Sequence, residues 1–368
     1  MKKNIIMLLA FTLIFGLLFI GGCSGDTSAP ADSGEGEGEG EEEVPEEANG
    51  PTAEEPVTLV FATWEQPTGY LGEIYQQAAD KIEEETGGRV VMDCYFSGSL
   101  LEYADVFSGV ASGRADIATA ISSMATGKLN QIFDQPYIGI PDQIEATKAF
   151  KELLATHPEF QEEMEQNNTR WISLRAMPPY WLHMVTKPVR VPDDLKGMKI
   201  MASGDTIVEE SGGASIDAAP PDMYMNLERG LADGQITHWN AVVTFGLKEL
   251  YNYHTSFGGP HTGLKASAIG WIINLDTWNS LPPDIQETIV EVYEWADAEL
   301  GKHVEGEEAM AWSKEQGHEF IEVTGDDLVL WEEKAQPTVE KWIEEVSAEG
   351  WPAAELWDSF GELIEKHR

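Results

Sequence analysis

The chain has 368 residues and a formal net charge of −42, from 65 acidic and 23 basic side chains. A surface of that sign excludes nucleic acid as a partner and repels anionic membrane. It suits a chain facing the outside, in a medium salty enough to shorten charge interactions to several Å.

The N-terminus reads as a leader rather than as part of a fold. Lys2 and Lys3 precede an apolar run from Ile5 to Ile20, and "IGGC" then sets small residues directly before Cys23. That order predicts a signal peptide over 1–22 in the pattern of a bacterial lipoprotein, with the Cys23 thiol taking the lipid. The run also approaches the length of a membrane span, but the small pair before the cysteine favours cleavage, and both readings tether the chain outside the cytoplasm. Residues 23–56 are mostly Gly, Glu, Pro, Ala and Asp, including "GEGEGEGEEE". Such a segment buries no core and self-repels, which predicts a lipidated, acidic, disordered spacer. The first 55 residues hold twelve acids and two lysines, so −10 of the −42 lies there and −32 remains on the rest.

From Val57 onward the chain is long enough for two domains. Cys94 is the one cysteine beyond Cys23, which excludes an intrachain disulfide there; within "VVMDCYF" it reads as a small core residue. "VTLVFATW" is a strand, and "YLGEIYQQAADKIEEETGG" places Ile74, Ala78 and Ile82 on one helix face before Gly87 and Gly88 stop it. "RVVMDCYF" is a second strand, "LLEYADVFSGVASG" a second helix and "ADIATA" a third strand. Strands alternating with helices at this spacing predict parallel pairing through crossovers.

A second unit begins near Trp181, with strands "WLHMVT", "MKIMA" and "QITHWN" and the helix "PPDMYMNLERGLADG". "ASAIGWIIN" is a further strand. Beyond it the pattern is nearly all helical, beginning with Pro282-Pro283 at a helix start. The expected fold class is α/β, two-lobed and of the periplasmic-binding-protein (type II-like) kind, with ligand held at strand carboxyl ends in the cleft between lobes. The predicted lobe I is 57–180 with part of about 266–300, and lobe II is 181–265 with part of the helical tail 301–368.

Signatures of catalysis are missing. The sequence has no G-x-S-x-G, H-E-x-x-H, C-x-x-C or P-loop. Its eight histidines are scattered, and the seven-residue spacing of His254 and His261 is no standard metal pattern. No cofactor, no metal and no catalytic residue is expected, and a secreted hydrolase is the weakest of the readings.

The run "TKPVRVPDDLKGMKI" followed by "GGASIDAAPPDMYMNLERGLADGQI" resembles the solute receptors of tripartite ATP-independent periplasmic (TRAP) transporters, the C4-dicarboxylate-receptor-like family. "EEETGGRVVMDCYFSGSL", "GVASGRADIA" and "NLDTWNSLPPDIQETI" are similar to other segments of that family, in the same order. The resemblance implies two α/β lobes joined by crossing strands, a long helix bracing both lobes, and delivery of a small solute to the small and large membrane subunits of the carrier. A lipoprotein of the same fold that senses solute for a membrane partner is the alternative.

The resemblance also sharpens the choice of site residues. Most family members carry arginine in the Lys-Ile-Arg strand, where its fork clamps a carboxylate; aligned without a gap, that position is Met201. A second arginine used by some members falls on Trp181, and the asparagine after Asp-Gly falls near Thr237. With these anchors missing, either another cation serves an organic acid, Arg175 or Lys265 being candidates, or a less charged or aromatic solute rests on apolar faces. Trp64, Tyr180, Trp181, Met201, Trp239, Asn240 and Arg175 are the expected substrate-binding residues, and Cys23 the lipidation site.

Overall fold

The computed structural model describes residues 50–202, 206–218, 222–302 and 305–368; the signal peptide, Cys23 and most of the acidic spacer lie outside them. The first segment runs β1 (Val57–Ala62), α1 (Tyr70–Glu85), β2 (Val90–Tyr95), α2 (Val106–Ala111), β3 (Ile117–Ile121), α3 (Gln143–Thr156), α4 (Glu159–Gln166) and β4 (Thr169–Ala176). The second runs β5 (Trp181–Met184), β6 (Lys199–Met201), α5 (Thr206–Glu210), β7 (Ala214–Ile216), α6 (Met223–Glu228), β8 (Gly234–Thr237), α7 (Trp239–Thr244) and β9 (Tyr253–Phe257). The chain then adds β10 (Ala268–Asn274), α8 (Leu275–Ser280), α9 (Pro283–Leu300), α10 (Glu305–Glu315), β11 (Glu319–Val323), α11 (Asp326–Ala348) and α12 (Ala353–His367).

These strands form two sheets, one of order β2-β1-β3-β10-β4 and one of order β11-β9-β5-β8-β6-β7. As the strand–helix alternation predicts, β1 pairs in parallel with both β2 and β3, whereas β10 lies antiparallel to β3 and β4. Each sheet is covered on both faces. α1 and α9 bury Ile74, Ala78, Ile82, Ile285, Ile289 and Val292 on one side of the first sheet, and α3, α4 and α12 cover the other.

Two segments cross between the sheets and pair with each other. The β4–β5 connection and the β9–β10 connection are joined by Met177 N to Ser267 O (2.8 Å), Tyr180 N to Lys265 O (2.8 Å) and Leu264 N to Tyr180 O (2.9 Å). These are the crossing strands of a hinge. The bracing helix is α11. Its first half puts Trp331 and Ala335 into the core of the second sheet, and its second half puts Trp342 and Val346 into the core of the first. Indole hydrogen bonds from Trp331 to Arg190 O (2.9 Å) and from Trp342 to Lys128 O (2.8 Å) pin the two halves. Between them Pro337 removes one backbone donor from the helix.

Two elements differ from the sequence expectation. "QITHWN" is a strand only as far as Thr237, because the His238 side chain accepts the Ala241 N–H (3.2 Å) and caps a new helix. The tail is not all helical: β11 pairs in parallel with β9, burying Ile321 and Val323. Its alternation is short, and Gly317 and Gly325, both at positive φ, bound it.

Candidate functional site

At the hinge, the two sheets present the same kind of edge. In the first, the parallel strands β1, β2 and β3 end at Ala62, Tyr95 and Ile121, β4 ends at Ala176, and antiparallel β10 begins at Ala268. In the second, parallel β6, β7 and β8 end at Met201, Ile216 and Thr237, where antiparallel β5 begins with Trp181. Carboxyl ends of strands are where α/β sheets hold ligands.

Arg175 is the penultimate residue of β4, and its side chain shares a face with Ser173. Both reach Asp297 of α9: Ser173 Oγ donates at 2.5 Å, Trp271 Nε1 at 3.0 Å, Arg175 Nη1 at 3.4 Å, and Lys151 Nζ lies 3.7 Å away. Burial raises the Asp297 pKa, against the opposing pull of the Arg175 and Lys151 charges. Arg175 is 6% exposed, and among the described residues its buried Nε has no hydrogen-bond partner. A guanidinium whose ion pair with Asp297 is long and whose Nε is unfilled has a donor left to offer.

Around it stands a ring of groups from both lobes. Glu65 follows β1, and its Oε1 accepts the Trp64 indole N–H (3.1 Å). Burial raises the Glu65 pKa, while the indole bond and the Arg175 charge work the other way. Tyr103, 40% exposed as a whole, meets Trp64 edge to face at 5.1 Å, and partial burial of its hydroxyl, then Tyr180, Asp134 and Glu65, raise its pKa. Tyr180 lies in the hinge itself, 5.3 Å from the His238 ring, with Lys265 Nζ 5.8 Å over its own ring. Burial, helped by the nearby Arg175 charge, pushes His238 down to about 4, so it is neutral near pH 7. The ring therefore holds Trp64, Arg175 and Tyr180 from the sequence analysis, together with Glu65, Tyr103 and His238, which it missed.

The other expected residues lie apart from this ring. Trp181, Met201 and Trp239 are 4%, 3% and 5% exposed and belong to one buried cluster with Leu227, Val242 and Tyr251. The two indoles meet edge to face at 5.8 Å. Asn240 lies in the first turn of α7, where α10 comes so close that a Cβ on Gly306 would be 2.3 Å from the Asn240 Oδ1. His254 has no relation to His261; it lies opposite His183 across β5 and β9, Nδ1 to Nδ1 2.8 Å, and its Nε2 is 3.2 Å from His318 Nδ1. Among the described residues no group of three or more His, Cys, Asp or Glu is placed to hold a metal ion.

A cavity of about 500 Å³ opens elsewhere, lined by Tyr137, Gly139, Leu328, Val339, Trp357 and Arg368. Its cation is already engaged, since Arg368 bonds Gly139 O (2.6 Å) and Glu365 (3.0 Å). The hinge ring, with its unfilled donor, is the better candidate for holding a solute.

Two α/β lobes on a crossed-strand hinge with a polar ring at the facing sheet ends define a ligand-capturing receptor. The sequence profile of the bacterial extracellular solute-binding proteins, family 7, matches residues 62–345, and the chain belongs to that family. A solute-binding protein of Chromohalobacter salexigens is 22% identical over 285 residues, covering 74% of this chain and 81% of its own. The crystal structure of a TRAP periplasmic solute-binding protein from Desulfovibrio salexigens superposes with a TM-score of 0.71 at 24% identity, over 84% of this chain and 96% of that one. A marine metagenome TRAP solute-binding protein specific for aromatic acid ligands, solved with metahydroxyphenylacetate, gives 0.73 at 20% identity, over 84% and 99%. At these identities the likeness to solved structures fixes the fold.

Proposed function

We propose that this chain is the solute receptor of a TRAP-type transporter, closing its two lobes over a small organic acid whose carboxylate docks on Arg175. The observation that carries this is the buried Arg175 guanidinium, whose Nε lacks a partner among the described residues. Trp64, Tyr103 and Tyr180 add aromatic surface beside it, which favours an acid with a ring or another flat apolar body. The aromatic-acid specificity of the metagenome relative supports the same class. The solute leaves unchanged, and no turnover is expected. In this reading lobe I is 57–180 with the β10–α9 segment and lobe II is 181–265 with part of the tail, closing by a hinge motion selected by contacts to both lobes.

A thermal-shift screen of aliphatic acids, aromatic acids, amines and polyols tests it. An acid at 100 times its dissociation constant is expected to stabilise the fold by about 2.7 kcal/mol. Stabilisation by amines or polyols alone would overturn the organic-acid reading.

The anchor belongs to the same proposal: processing before Cys23, lipidation of its thiol, and a spacer of Gly and Glu that lifts the receptor off the membrane. Cys23→Ala is expected to abolish incorporation of labelled fatty acid and to release the protein from the membrane fraction. Label on the alanine variant would refute the anchor.

A further inference from the structure

The cavity of about 500 Å³ away from the hinge ring takes its walls from both lobes. Tyr137 and Trp357 pack on the core of the first sheet, and Leu328 and Ala335 of α11 on that of the second. Backbone at the hinge closes it. Gly139 N bonds Gly263 O (2.8 Å), and a Cβ on Gly258 would lie 3.1 Å from Gly139 Cα. A cavity of this size has room for a small organic molecule.

Its chemistry is the reverse of the hinge ring's. The lining side chains include two carboxylates, Glu332 and Glu365, and one guanidinium, Arg368. Arg368 is engaged by Glu365 (3.0 Å) and by Gly139 O (2.6 Å). The Glu332 carboxylate has neither a hydrogen bond nor an ion pair among the described residues. Burial, then Glu365 and more weakly Glu332, raise the Tyr137 hydroxyl pKa against the pull of Arg368, so both acids are felt inside the cavity. Beside them stands an aromatic corner. The Tyr137 and Trp357 rings are 6.0 Å apart and inclined at 59°, and Phe360 backs them at 5.6 and 5.4 Å. Ring faces beside a carboxylate that nothing neutralises attract a cation by quadrupole and by charge together. An acid would meet two like charges there. A bare metal ion would meet apolar Leu328, Ala335 and Val339, which offer it no ligand.

We infer that this cavity is a second ligand site, for a small organic cation with an apolar body, such as a quaternary or aryl ammonium ion. Trp357 and Tyr137 form its aromatic wall, and Glu332 supplies the counter-charge. The site is separate from the hinge ring and does not depend on the organic-acid reading.

Calorimetric titration of the full chain with choline and with its uncharged counterpart, 3,3-dimethylbutan-1-ol, tests this. Salt at about 0.15 M screens attraction to the acidic surface beyond about 8 Å. Choline is expected to bind roughly 3- to 150-fold more tightly than the alcohol, the combined range of a cation–π contact and an exposed ion pair. Benzyltrimethylammonium, with more apolar body, should bind more tightly than choline. Glu332→Gln, at an exposed helix position, is expected to weaken both cations roughly 2- to 5-fold, and Trp357→Leu roughly 2- to 30-fold. In spectra of the nitrogen-labelled protein, the indole N–H signal lost in Trp357→Leu should shift as choline is added. No cation binding at millimolar concentration, choline and alcohol binding alike, or a cation affinity that Glu332→Gln leaves unmoved would overturn the inference. The choline-to-alcohol ratio and Glu332→Gln decide the matter even if Trp357→Leu does not fold.

Discussion

Arg175→Met is expected to weaken binding of a carboxylate solute by 2–5 kcal/mol, roughly 30- to 4,000-fold, the loss seen when one partner of a buried charged hydrogen bond is truncated. The side chain is 6% exposed, and its Nε is a donor without a partner among the described residues. The same change should cost stability as well, but less. Asp297 would lose one contact of 3.4 Å while keeping Ser173, Trp271 and Lys151, so roughly 1–3 kcal/mol is the expected loss. Arg175→Lys separates charge from shape: it keeps the cation and removes the planar fork, and is expected to fall between the two. Binding and melting temperature are measured on both variants. A folded Arg175→Met protein that takes up acids like the parent would move the carboxylate site elsewhere.

The periodic features of the fold are legible in the sequence alone. Ile74, Ala78 and Ile82 lie on one helix face and are buried there, and the runs of Val, Ile and Ala around β1, β2, β3 and β10 fall where strands form. β11 escaped because five residues with two exposed glutamates carry too little alternation against a helical background. The site was legible only in part, for a different reason. Arg175 could be named as a cation near a strand end, but its unfilled Nε depends on Asp297, which is 122 residues away in sequence. Glu65, Tyr103 and His238 follow strand ends or a helix cap. Nothing local distinguishes them from the many other acids and aromatics until the hinge brings β1, β4 and β8 together. The three-histidine contact of His183, His254 and His318 is set by strand register in the same way.

Family resemblance pointed to Met201 and Trp181 as replacements for arginines, and their surroundings give that replacement a physical meaning. Both lie on the same face of the second sheet, on β6 and β5 either side of β8, and both enter one buried cluster with Trp239. Two positions that would repel each other as cations pack together as apolar groups. Met201→Arg is therefore expected to destabilise the fold by about 3–5 kcal/mol, the scale of a buried charge without a partner. For a chain of this size that corresponds to a fall in melting temperature on the order of 10 °C. The polar neighbour across the strand gives little relief, since Gln235 already accepts the Tyr251 hydroxyl (2.7 Å). Met201→Leu, which nearly conserves volume, should cost less than about 1.5 kcal/mol. The contrast between the two variants separates charge from shape. If Met201→Arg instead melts within about 2 °C of the parent and changes which acids bind, the guanidinium has reached water in the cleft, and the position faces the ligand.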